Sequence, residues 1–174
     1  VTSTSEDGRS LPAETRAEGP EFAARLHTAE HLLTAVMRLE FGSSGILESH
    51  FGAKKVKCDY AVDRPLGEVE IVRIEAAVNR EIAANRPVRA AEMARAEAGK
   101  MVDLSRTPPE ADPVRIVEIV GFDRTACAAE HVTTTGEIGR FVIRSYEKRD
   151  PTVVRLRFTL DPAARGEEPP LGSR

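Results

Sequence analysis

A chain of 174 residues, 41% hydrophobic and 30% charged, is long enough to bury its own core and has the balance of an ordinary globular domain. No apolar run approaches the roughly 18 residues of a membrane span, the first residues lack the basic and apolar regions of a signal peptide, and the two cysteines, Cys58 and Cys127, cannot build a disulfide framework, which points to a reducing cytoplasm. A net charge of −3 argues against a protein that coats itself on nucleic acid.

Residues 1–20 are rich in Ser, Thr, Glu, Gly and Pro and read as a flexible arm, as do residues 161–174 at the other end. The body between them, 21–160, opens with a helix expected over Glu21–Phe41, where Phe22, Leu26, Leu33, Val36 and Met37 recur at helical spacing and Gly42 is the stop. Ile46–Phe51 and Lys54–Val62 read as a strand pair turning at Gly52-Ala53. A second long helix is expected over Leu66–Asn85, with Val69, Val72, Ile74, Ala77, Val78 and Ile82 as its apolar side and Pro87 beyond its end. Val88–Met93 reads as a strand, Ala94–Gly99 as a short helix and Ser105–Pro113, with three prolines, as a loop. Arg115–Phe122, Gly139–Tyr146 and Val153–Leu160 complete the strands, the last alternating Val154, Leu156, Phe158 and Leu160 with polar residues. The expected fold is α+β, a largely antiparallel sheet packed with two long helices.

Two short clusters carry chemistry. In His27-Thr-Ala-Glu-His31 the imidazoles stand at i and i+4 and share a helix face, so both can meet one metal ion. Cys127-Ala-Ala-Glu-His131 offers a thiol and a further imidazole. Sulfur and imidazole donors favour zinc over magnesium or calcium. His50 stands apart and reads as a surface or partly buried histidine, and Cys58 as a small core residue. Residues 140–157 hold six basic side chains against two acidic ones, a pattern that suits either a phosphate backbone or a solvated strand face.

His27-Thr-Ala-Glu-His-Leu-Leu33, then Cys127-x-x-x-His131 and Thr135-Gly-Glu-Ile-Gly139, resembles the editing domain of alanyl-tRNA synthetase and its free-standing AlaX relatives. The threonyl-tRNA synthetase editing domain shares the two metal-binding clusters. Lys57-Cys-Asp-Tyr60, Val78-Asn79 and Asn85-Arg-Pro-Val88 extend the resemblance, which covers about residues 22–160. One departure is plain: where the family has a glycine-containing triplet between the cysteine and the last histidine, this chain has Ala128-Ala129-Glu130.

The resemblance implies a zinc-dependent deacylase acting in trans on mischarged tRNA, with His27, His31, Cys127 and His131 as zinc ligands. Serine or glycine on alanine tRNA is the family's substrate; a threonine-like or non-proteinogenic amino acid on threonine tRNA is the variant that the altered triplet suggests. Zinc would either polarise the attacking water or anchor the substrate's amino group. Glu30, Glu130 and Thr133 are the candidate catalytic residues, although for Glu30 the sequence favours an exposed surface carboxylate. Thr134, Thr135 and Gly136 would contact the aminoacyl group or the terminal adenosine, and Lys54, Lys55, Lys57, Arg140 and Arg144 would hold phosphates. Two competing readings are a non-catalytic tRNA-binding relative with structural zinc and, from His27-x-x-Glu30-His31, an inverted-zincin peptidase.

Overall fold

The computed structural model describes residues 19–161; most of each flexible terminal segment expected from the sequence lies outside them. The first helix, α1, spans Pro20–Glu40 and starts with proline at a position where its missing N–H costs nothing. It ends at Gly42, whose φ of 67° and whose approach to Asp63 exclude a side chain: a Cβ there would lie 2.5 Å from that carboxylate. The strands β1 (Ser43–Phe51) and β2 (Lys55–Val62) follow as a hairpin, then the helix α2 (Glu68–Ala83), the strand β3 (Val88–Met93) and the single turn α3 (Arg95–Ala98). The strands β4 (Val114–Ile119) and β5 (Asp123–Ala126), a 3₁₀ turn over Thr135–Ile138, and the long strands β6 (Arg140–Asp150) and β7 (Val153–Asp161) complete the chain. No helix of the described residues is long and apolar enough to cross a membrane.

The architecture is α+β with two antiparallel sheets, one of four strands in the order β1-β2-β7-β6 and one of three in the order β3-β4-β5. The main core lies between the inner face of the larger sheet and the two helices. Leu32, Leu33, Val36 and Met37 of α1 and Ile74 and Val78 of α2 meet Val56, Tyr60, Phe141, Leu156 and Phe158 there. Cys58 is fully buried among them, as its sequence context suggested. The sheet's edge at the start of β6 is covered by α2: Asn79 accepts from the Phe141 amide and donates to its carbonyl, and Glu75 accepts from the Ile143 amide. These edge groups, which would otherwise template another strand, are thereby satisfied.

Two expectations need correction. Val69 and Val72 do not belong to the buried side of α2, being 70% and 69% exposed, because the face that meets the sheet runs through Ile71, Ile74, Val78 and Ile82. The run read as one strand over Arg115–Phe122 is broken by a tight turn at Gly121, φ 73°, and the chain returns as β5, a strand too short and polar to announce itself. The antiparallel strands divide between two sheets, because this hairpin pairs with β3 and the other four strands pair among themselves.

Candidate metal centre

One face of α1 carries His27, Glu30, His31 and Thr34, spaced at i, i+3, i+4 and i+7. The hairpin β4–β5 delivers the chain to Cys127 just beyond β5, and the irregular stretch that follows returns His131 to α1. The ligand atoms of His31, Cys127 and His131 all lie within 4.8 Å of one another. His131 Nε2 is 3.4 Å from Cys127 Sγ, and the His31 and His131 rings are 4.5 Å apart. His27 stands at the margin: its ring is 6.2 Å from that of His131 and stacks on Phe51 at 3.9 Å. The structure therefore gathers three of the four expected ligands, with the fourth alongside.

The electrostatics suit a cation. Burial, reinforced by the neighbouring imidazoles, pushes His31 down to about 4 and His131 down to about 3, and burial also lowers His27. At neutral pH these rings are uncharged and offer lone pairs. His31 Nδ1 is buried with no hydrogen-bond partner among the described residues, a defect that a bound ion in this cluster would offset. Two imidazoles and a thiol can hold a metal ion and leave a coordination position open. Because burial raises the Cys127 thiol while the imidazoles are already neutral, binding of zinc at pH 7 is expected to release about one proton. Calorimetry in buffers of different ionisation heat measures this number; a metal-bound water can add up to one more, and release of more than two would show that the imidazoles carry protons.

Arg115 of β4 shapes the loop that lacks the family's glycine. Its guanidinium donates to the carbonyl oxygens of Cys127 and Ala129, and the Cys127 amide donates back to the Arg115 carbonyl at 3.1 Å. Sequence reasoning missed this residue, which links positions too far apart to reveal themselves by spacing.

Glu30 is the clearest correction. It is not a surface carboxylate: burial pushes it up to about 7, and it accepts from Thr34 Oγ1 at 2.7 Å. Thr34 lies 2.9 Å from the Tyr60 hydroxyl, and since its one proton goes to Glu30, Tyr60 donates to it. A hydrogen-bond chain from the core thus ends on this carboxylate. Glu130, by contrast, is exposed.

The threonines serve the fold. Thr133 Oγ1 and the Thr134 amide both donate to Glu137, and Thr134 caps the 3₁₀ turn. Thr135 is fully buried, donating to the Glu81 carbonyl and accepting from the Arg86 amide, so its hydroxyl is turned away from any substrate. Gly136 packs on Asn85, where a Cβ would lie 2.4 Å from the side-chain oxygen. Lys54 and Lys55 are exposed at the β1–β2 turn, Lys57 is partly buried on β2, His50 is exposed, and Arg140 is exposed at the start of β6. Much of the basic stretch is ion-paired: Arg144 with Asp161, Arg149 and Arg157 with Glu147, and Arg155 with Asp59. An open, largely apolar cleft of about 230 Å³ lies beside His27, walled by Phe22, Leu26, Phe51 and the 52–53 turn.

Residues 114–157, from β4 into β7, match the family model of the threonyl and alanyl tRNA synthetase second additional domain. The chain belongs to that domain family and is homologous to part of the alanine–tRNA ligases. Over 147 residues, 83% of its length, it is 30% identical to the alanine–tRNA ligase of Treponema denticola. It is 34% identical over 144 residues to that of Thermofilum pendens and 36% identical over 121 residues to that of Bordetella petrii. The domain spans only 24%, 15% and 14% of those ligases respectively. Cys127 and His131 fall inside the matched segment, and the cluster's third member, His31, comes from α1 before it.

Proposed function

We propose that the protein is a zinc-dependent aminoacyl-tRNA deacylase, removing a wrongly attached amino acid from the acceptor end of a tRNA supplied in trans. The observation that carries this reading is the convergence of the His31–Cys127–His131 cluster and the buried Glu30 on one face of α1, in a domain shared with alanine–tRNA ligases. His31, Cys127 and His131 would hold zinc, with His27 at the margin between the cluster and the cleft. Bound zinc would supply Lewis acidity or an anchor for the substrate's α-amino group. Two cysteines without a disulfide suit a reducing cytoplasm.

In the reaction, water oxygen adds to the ester carbonyl carbon and its proton passes to Glu30. The bond to the terminal ribose oxygen then breaks, Glu30 returns the proton to that oxygen, and the products are free amino acid and uncharged tRNA. The Thr34–Tyr60 chain holds the Glu30 carboxylate in place for both transfers. The cleft beside His27 would receive the acceptor end, with Lys54 and Lys55 at the adjoining turn near the phosphates. Serine or glycine on alanine tRNA is the substrate the family suggests, and a threonine-like amino acid on threonine tRNA the one the Ala128-Ala129-Glu130 loop suggests.

Incubation of the purified protein with Ser-tRNA(Ala), Gly-tRNA(Ala), Ser-tRNA(Thr) and Thr-tRNA(Thr), together with a threonine-analogue ester and a peptide panel, decides the matter. Rapid release from one charged tRNA is the expected result. Retention of every ester by a zinc-loaded protein that still binds tRNA would sink the hydrolase and leave a binding module. Peptide cleavage alone would make it a peptidase.

A further inference from the structure

We propose that Thr28 fixes the tautomer of His131, and so presents its Nε2 lone pair to the metal cluster. The inference rests on the metal-centre reading, and the bookkeeping of one hydroxyl group carries it. Thr28 sits between the two histidines of α1 and is fully buried. Its single proton is donated to the Ala24 carbonyl at 2.8 Å, one turn back in the helix. The oxygen also accepts the Val132 amide at 3.2 Å, and the third neighbour, 3.1 Å away, is His131 Nδ1.

A hydroxyl offers one donor and two acceptor sites. With the proton spent on Ala24 and one acceptor site on Val132, only acceptance remains for His131, so Nδ1 carries the ring hydrogen. The neutral ring then has its lone pair on Nε2, the nitrogen facing Cys127 Sγ at 3.4 Å. The opposite tautomer would need the Thr28 proton turned from Ala24 to Nδ1, at the cost of the 2.8 Å bond, and would point an N–H towards the cluster. Thr28 also ties down the ligand's own backbone, because Val132 is the next residue. A side chain on the ligand-bearing helix thereby sets both the protonation pattern and the position of a ligand from the distant loop. Thr28 is a positioning residue, acting through His131.

Imidazole ¹⁵N NMR of the metal-free protein tests this directly. His131 in the unaltered protein is expected as the Nδ1–H form, and finding it as Nε2–H would overturn the proposal. Thr28→Val, similar in shape but without the hydroxyl, is expected to shift the ring towards Nε2–H. It is also expected to lower zinc affinity, measured against a chromophoric chelator, by roughly 10–100-fold. Thr28→Ser is expected to restore both. A folded Thr28→Val protein with the original tautomer and affinity would overturn the assignment. Failure of the unaltered protein to bind zinc would refute the metal centre instead, a result separable from the tautomer read without metal.

Discussion

Cys127→Ala is expected to remove zinc retention and deacylation together while leaving the fold intact. The thiol is only partly buried and belongs to a loop, outside the main core, so its truncation creates no large cavity. What is lost is the cluster's one sulfur donor, and only His31 and His131 remain of the gathered set. Loss of an outer partner of a metal ligand costs roughly 10–100-fold in affinity, and loss of a ligand itself is expected to exceed that. If the ion supplies several kcal/mol of transition-state stabilisation, deacylation falls by at least about 10²–10³-fold. Metal content after gel filtration, circular dichroism and single-turnover release from charged tRNA measure the three quantities. A variant that loses zinc but keeps full activity would show the metal to be structural; one that keeps zinc would show that Cys127 is not a ligand.

Glu30→Gln separates proton transfer from metal binding. Glutamine keeps an oxygen for Thr34 to donate to, so the hydrogen-bond chain from Tyr60 survives and folding is preserved. Positioned acid–base groups contribute roughly 10²–10⁴-fold, and a loss of that size in kcat with unchanged zinc affinity is the expected outcome. The pH profile adds a second readout. Burial raises Glu30 to about 7 in the metal-free protein and a bound cation would lower it, so activity, which needs the base ionised, should climb with pH along a limb at or below about 7 and then level. That limb should vanish in the variant. Activity within a few-fold of the unaltered protein would assign Glu30 to structure alone.

The two clusters of candidate ligands stand out in the sequence because each is local: i, i+4 spacing puts His27 and His31 on one helix face whatever surrounds the helix. That His27 stacks on Phe51 and stands off from the other three was not legible, since the way the next hairpin folds back on α1 decides it. Glu30 left a signal that went unread. It falls in register with Leu26, Leu33 and Met37, the buried stripe of α1, and an acid in an apolar stripe is drawn partly out of water. Val69 and Val72 misled in the other direction, because apolar side chains on a helix do not have to face the core. The threonines of 133–135 stand out because they are polar and follow a ligand; that Thr133 and Thr134 bond Glu137 and that Thr135 holds the end of α2 depends on the tertiary fold. Thr28 and Arg115 could not be read from local pattern, as each acts on a residue brought near only by the tertiary fold.

Thr28 and His131, joined by one hydroxyl, are 103 positions apart in the sequence. An unfolded chain pays a loop-closure cost to bring such segments together, and His27 with His31 alone would give an ion only two donors. A metal ion bound at this cluster would therefore have little purchase on the chain until the core between sheet and helices has formed, in contrast to small zinc modules that the ion itself folds. Loading would then follow collapse, and the size of a folded but empty population would be set by the supply of free metal.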